Sequence, residues 1–91
     1  MGLFDKFKKK KEPALYWKRI ELIGGATVGW YIKRILNDNA KDEGVIYLND
    51  DAYRFAYGNM SDIVPPDLMN GTVSELLGAE EDGMLYFKIV Y

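Results

Sequence analysis

Residues 44–58, GVIYLNDDAYRFAYG, carry the clearest structural signal in the chain. Two runs rich in β-branched and aromatic residues flank an Asn-Asp-Asp segment, which is typical of a turn. In the second run Tyr53, Phe55 and Tyr57 alternate with smaller or charged residues and would share one face of a strand. The stretch therefore predicts a β-hairpin with an aromatic face on its second strand.

The segment before this hairpin, residues 26–41 (ATVGWYIKRILNDNAK), has helical spacing. Its apolar residues recur at i, i+3, i+4, i+7 and i+8, and they are Val28, Tyr31, Ile32, Ile35 and Leu36. Thr27, or the Gly24-Gly25 pair before it, would begin the helix. The pattern predicts an amphipathic helix, and we interpret the glycines as a turn and cap because they match no phosphate-binding motif.

Two segments after the hairpin complete the predicted elements. Residues 73–78 (VSELLG) follow Thr72, which could cap a short helix with Glu75 at the capping-box position. Residues 84–91 (MLYFKIVY) alternate regularly and predict a terminal strand.

Residues 15–23 (LYWKRIELI) are compatible with a strand or a helix, and their β-branched and aromatic content favours a strand. The order is then β-α-β-β-α-β, which predicts an α+β fold: a small antiparallel sheet with two helices on one face, in a ferredoxin-like arrangement. If residues 15–23 are helical, the alternative is a three-stranded sheet with an N-terminal helix pair.

The composition restricts the chemistry that the chain can perform. Its 91 residues include no histidine and no cysteine, so the usual general base near neutral pH and all thiolate metal sites are excluded. The acidic groups lack the order of a calcium-binding loop. We therefore expect a non-catalytic protein without a metal or cofactor. No secretory or membrane-spanning segment is recognised, so we expect a cytoplasmic protein, peripheral at a membrane if it binds lipid.

Charge divides the chain into two parts. Residues 1–13 are predicted to form a basic, flexible arm, and residues 14–91 a single α+β domain. Residues 1–12 have a net charge of +3, whereas the remainder has seven bases and twelve acids, a net charge of −5. An arm that binds anionic membrane or nucleic acid would use its lysines and bulky apolar residues, namely Leu3, Phe4, Lys6, Phe7, Lys8, Lys9, Lys10 and Lys11.

The aromatic residues lead to the main functional hypothesis. We expect a protein-interaction module that binds a protein partner, or a second copy as a homodimer, through an aromatic sheet face with acidic rims. The residues predicted to bind this partner are Tyr47, Tyr53, Phe55, Tyr57 and Trp30. An RNA platform is disfavoured because the negative body repels phosphate. A further hypothesis is a small acidic inhibitor of the kind that mobile elements carry.

Overall fold

The computed structural model describes residues 15–91, so the predicted N-terminal arm, residues 1–13, lies outside the described residues. The elements follow in the order β1 (Lys18–Ile20), α1 (Val28–Asp38), β2 (Glu43–Leu48), β3 (Asp51–Ala56), β4 (Asn59–Met60), a 3₁₀ helix (Pro66–Asn70), β5 (Glu75–Glu81) and β6 (Met84–Val90).

The strands form one mixed sheet with the spatial order β1-β5-β6-β2-β3-β4. The β2–β6 pair is parallel, and the other four pairs are antiparallel. With six strands and a single α-helix among the described residues, the predicted ferredoxin-like sheet under two helices is wrong. The alternative of a three-stranded sheet with a helix pair is also wrong.

The largest correction concerns residues 73–78, which were predicted as a helix. Most of this segment belongs to β5, which pairs with β6 in an antiparallel hairpin. The turn uses Asp82 and Gly83 with φ angles of 54° and 82°, and two positive φ angles are the signature of a type I′ hairpin turn. Ser74 N also donates to Val90 O at 2.7 Å. A helix of six residues is marginal in water, whereas this hairpin satisfies the backbone along two strands.

The predicted amphipathic helix is confirmed as α1. The Thr27 side chain accepts a hydrogen bond from Trp30 N at 3.3 Å, and the N–H of Asn39 donates to Ile35 O at 3.0 Å at the other end. One side of α1 packs on the sheet to form the core, which contains Val28, Tyr31, Ile32, Ile35, Ile46, Leu48, Phe55, Val73, Leu76 and Ile89.

The N-terminal strand is present but shorter than predicted. β1 pairs with β5, with Lys18 opposite Gly78 and Ile20 opposite Leu76. The chain then turns towards α1 through the glycine pair, in which Gly25 has a φ of 81°. β1 is consequently a short strand at one edge of the sheet.

At the other edge of the sheet, side-chain and loop contacts occupy part of the outer side of β3. Beyond the two-residue β4, Arg54 N donates to Asp62 Oδ2 at 2.9 Å, and Arg54 O accepts from Ser61 N at 2.8 Å. These contacts occupy backbone groups that could otherwise pair with another strand. No helix within residues 15–91 has the length and apolarity required to cross a membrane.

Candidate functional site

The five aromatic residues predicted to bind a partner do not lie together. Phe55 is 2% exposed and its ring lies over Gly44 in the core. Tyr53 is on the same, helix-covered face and is partly buried against the core. Tyr47 is also buried, but on the opposite face of the sheet. Successive side chains of a strand point to opposite faces, and the residues on either side of Tyr47 face the core. The aromatic face of β3 is therefore its core-facing side.

Tyr57 lies beyond β3, in the turn to β4. Its φ of 52° and the φ of 80° at Gly58 again form a turn of the type I′ pattern. The Tyr57 hydroxyl donates to Glu43 Oε2 at 2.6 Å, and this hydrogen bond, followed by the charge of the carboxylate, raises the pKa of Tyr57 above its usual value. A left-handed backbone conformation is unusual for a bulky residue. Because Tyr57 lies in this turn, it is separated from the other residues that were predicted to bind a partner.

The sheet face opposite α1 carries an aromatic contact that the sequence did not predict. The ring of Trp17 meets that of Tyr47 edge-on, with centroids 6.2 Å apart. Lys88 Nζ lies 5.1 Å from the centroid of the Trp17 ring. Trp17 thus packs on this face immediately before β1.

Exposed apolar side chains concentrate around β1. Within residues 15–91, three of the five exposed large hydrophobic side chains are Tyr16, Ile23 and Trp30, at 82%, 51% and 39% exposure. Ile20 lines the depressions that connect them. We call these four residues the β1 surface. Of these four, Ile20 is the residue common to the depression beside Tyr16 and the one beside Ile23 and Trp30.

A groove between α1 and β1 lies at the centre of the β1 surface. Leu76 and Phe87 line it from the sheet and Tyr31 and Ile35 from the helix, and its volume is about 180 Å³. Small-molecule pockets usually occupy about 300–1,000 Å³. The groove therefore suits one or two apolar side chains of a partner better than a metabolite.

The helix side of the groove presents an aromatic ring with a charged pair. Arg34 stacks with its guanidinium carbon 5.7 Å from the centroid of the Trp30 ring, and its Nε donates to Asp38 Oδ2 at 3.0 Å. The Trp30 ring also meets Tyr31 edge-on at 5.1 Å. Across the groove, Glu21 lines the β1 side. The rim thus combines both charges with an exposed indole.

Tyr31 holds the two sides of the groove together. Its hydroxyl accepts a hydrogen bond from Ile23 N at 2.7 Å and donates one to Ile23 O at 3.0 Å. One phenol thereby satisfies both backbone groups of a residue that has no strand partner. This contact fixes the Ile23 side chain at the rim, where it is half exposed.

The polar groups of the described residues are placed on the surface. Within residues 15–91, no polar or charged residue is buried, and no group of three or more acidic residues is arranged to hold a metal ion. The acidic run at Glu80, Glu81 and Asp82 is exposed at the β5–β6 turn. Burial is the first cause of the raised pKa of Tyr53, followed by the charges of Asp51, Tyr91 and Asp62.

Comparisons of the chain with protein-family models, with curated proteins and with solved structures gave no match. Functional assignment therefore depends on the geometry of this surface.

Of the residues predicted to bind a partner, only Trp30 belongs to the β1 surface. The prediction omitted Tyr16, Ile20 and Ile23, although all are within or next to the run LYWKRIELI at residues 15–23. That run has more bulky apolar residues than a short edge strand can bury. This excess was the available signal.

Proposed function

We propose that this chain is a non-catalytic interaction module that binds a protein partner through the β1 surface. The observation that supports the proposal is that the exposed Ile23 and Trp30 line one groove beside an edge strand, while the exposed Tyr16 lines a neighbouring depression that shares Ile20 with it. Apolar area removed from water contributes about 25 cal/mol per Å². A partner that covers these side chains would therefore gain free energy from each of them.

The kinds of residue around the groove also favour a protein partner. Trp, Tyr and Arg are the side chains most enriched at energetically dominant interface positions, and Trp30, Tyr31 and Arg34 occupy one side of the groove. The exposed carboxylates of Glu21 and Asp38 can orient a partner electrostatically. Like the interface predicted from the sequence, the proposed interface has acidic residues at its rim. It lies at β1 and not on the aromatic face of the sheet.

The proposal can be tested by partner capture from the native host with three forms of the tagged chain: wild type, Ile23→Ser and Ile63→Ser. Ile63 is 90% exposed and lines none of the depressions around β1, so it is a matched control. We expect a protein that wild type and Ile63→Ser retain equally and that Ile23→Ser binds about 5- to 30-fold more weakly, since about 1–2 kcal/mol of apolar burial is lost.

Two outcomes would contradict the proposal. A partner retained equally by all three forms would bind elsewhere on the chain. Failure of wild type to retain any protein, together with a purified chain that stays monomeric, would remove the basis for an interaction module.

A second candidate function is suggested by the separation of charge in the sequence. The lysine run of the arm, residues 6–11, could bind an anionic membrane or nucleic acid and lies outside the described residues. Deletion of residues 1–12 should abolish co-sedimentation with anionic vesicles, and the binding of the full chain should weaken as salt rises. Binding that survives the deletion or is insensitive to salt would argue against this function.

A further inference from the structure

We infer that a second copy of this chain binds at the β1 surface, by antiparallel pairing of the two β1 segments across a twofold axis. This inference deepens the proposed function and rests on it. Among the described residues, no strand pairs with the outer side of β1. The unpaired N–H and C=O groups of an edge strand are a template for another strand.

The charges of this segment select one register. Residues 18–22 read Lys-Arg-Ile-Glu-Leu. If the twofold axis passes through Ile20, Arg19 of each copy lies opposite Glu21 of the other. Axes through Arg19 or Glu21 would instead place two like charges opposite each other, which is destabilising. The segment is therefore complementary to itself at the register centred on Ile20.

The same register also matches the apolar surface. Residues directly opposite in an antiparallel pair point to the same face of the sheet. The two copies of Ile20 would meet on the helix-covered face, beside the groove that Ile20 lines. Pairing would end at Leu22, because both backbone groups of Ile23 already bond to the Tyr31 hydroxyl. Each copy would thus contribute the three residues of β1 and the two residues that follow it.

Basic residues on an edge strand usually discourage pairing with another strand. Whether β1 can pair therefore depends on where the side chain of Arg19 lies. Its side chain is 79% exposed and pairs with Glu75 of its own chain at 3.0 Å. A guanidinium has five N–H donors and can bond to Glu75 and to Glu21 of the second copy together. Twofold pairing uses the β1 edge of both copies, so the assembly closes at a dimer.

Charge reversal provides a test that is specific to contact between copies. Arg19→Glu and Glu21→Arg each place like charges opposite at two sites, and we expect each variant to dimerise about tenfold or more weakly than wild type. When the two variants are mixed in equal amounts, every carboxylate at positions 19 and 21 faces a base of the other variant across the joint. The mixture should then form heterodimers with close to wild-type affinity, which native mass spectrometry distinguishes by mass.

Matched reversals on exposed residues away from β1, Lys41→Glu and Glu81→Arg, should leave the wild-type dimer unchanged both alone and mixed. Circular dichroism verifies that each variant is folded. A wild-type chain that is monomeric in sedimentation velocity at about 1 mM, the weak limit of specific association, would overturn the inference. So would folded single variants whose mixture remains monomeric.

The partner-capture experiment separates this inference from the proposed function. A monomeric wild type that retains a foreign protein through Ile23 overturns self-pairing and leaves the interaction module intact. A wild-type dimer and a heterodimer of the complementary variants, without any captured foreign protein, would support self-pairing and count against a foreign partner.

Discussion

Gly44 is the position where one added methyl group should most disturb this fold. A Cβ at Gly44 would lie 2.6 Å from Cζ of the Phe55 ring and would clash with the carbonyl oxygen of Leu85. The Leu85 oxygen is backbone in β6, which runs parallel to β2, and Phe55 is buried in the core. Overpacking costs about 1–3 kcal/mol where neighbours can adjust. We expect Gly44→Ala to lower the free energy of unfolding by about 3 kcal/mol, the upper end of that range.

Urea denaturation followed by tryptophan fluorescence measures this loss, and the thermal midpoint should fall by about 12–24 °C for a domain of this size. Gly24→Ala is the matched control, since a Cβ there meets nothing within 4 Å, and its stability should stay within about 0.5 kcal/mol of wild type. Gly25→Ala isolates the backbone effect: its surroundings are open but its φ is 81°, so we expect a loss of about 1 kcal/mol. A Gly44→Ala variant as stable as Gly24→Ala would refute the packing of Phe55 over Gly44.

Three further predictions concern hydrogen bonding, the corrected strand and pH. Tyr31→Phe removes the hydroxyl bonded to both backbone groups of Ile23 and should cost about 1–3 kcal/mol in urea unfolding; an unchanged midpoint would show that water replaces it. Leu76→Ala should cost about 2–4 kcal/mol, because Leu76 is buried in β5, and a loss typical of surface positions would contradict its core-facing side. The hydrogen bond to Glu43 raises the pKa of Tyr57, so its stabilising effect is present below about pH 10 and is lost as pH rises through the folded-state pKa. Urea midpoints measured across that range should therefore fall less steeply for Tyr57→Phe than for wild type, and parallel slopes would refute the linkage.

Local sequence patterns predicted those helices and strands in which apolar residues recur at a regular spacing. The spacing of Val28, Tyr31, Ile32 and Ile35 identified α1, because one side of that helix packs on the sheet. β5 escaped prediction because adjacent Leu76 and Leu77 fit a helix as well as a strand buried on both faces. The Asp82-Gly83 pair between the two strands is a typical hairpin-turn dipeptide, so the sequence does contain a signal for this hairpin.

The site was less predictable than the elements, because it depends on which strands become neighbours. The alternation in β3 correctly placed Tyr53 and Phe55 on one face, but alternation alone does not tell which face α1 covers. The pairing of β1 with β5 joins segments more than fifty residues apart, and the exposure of Ile20 and Ile23 follows from β1 lying at the edge. Trp30 is the one predicted residue that lies on the β1 surface, and its role in binding stays a prediction.

The position of β6 has a consequence for how the protein folds. β6 is the last strand in chain order, yet it lies between β5 and β2. Until it docks, β1 and β5 have no strand in common with the β2–β3–β4 hairpins, and the two parts cannot share a core. The parallel β2–β6 pair also joins residues about forty positions apart, and such long-range pairing forms slowly because loop-closure entropy is lost first. Docking of β6 should therefore be the step that makes folding cooperative, and changes at Ile89 should slow folding.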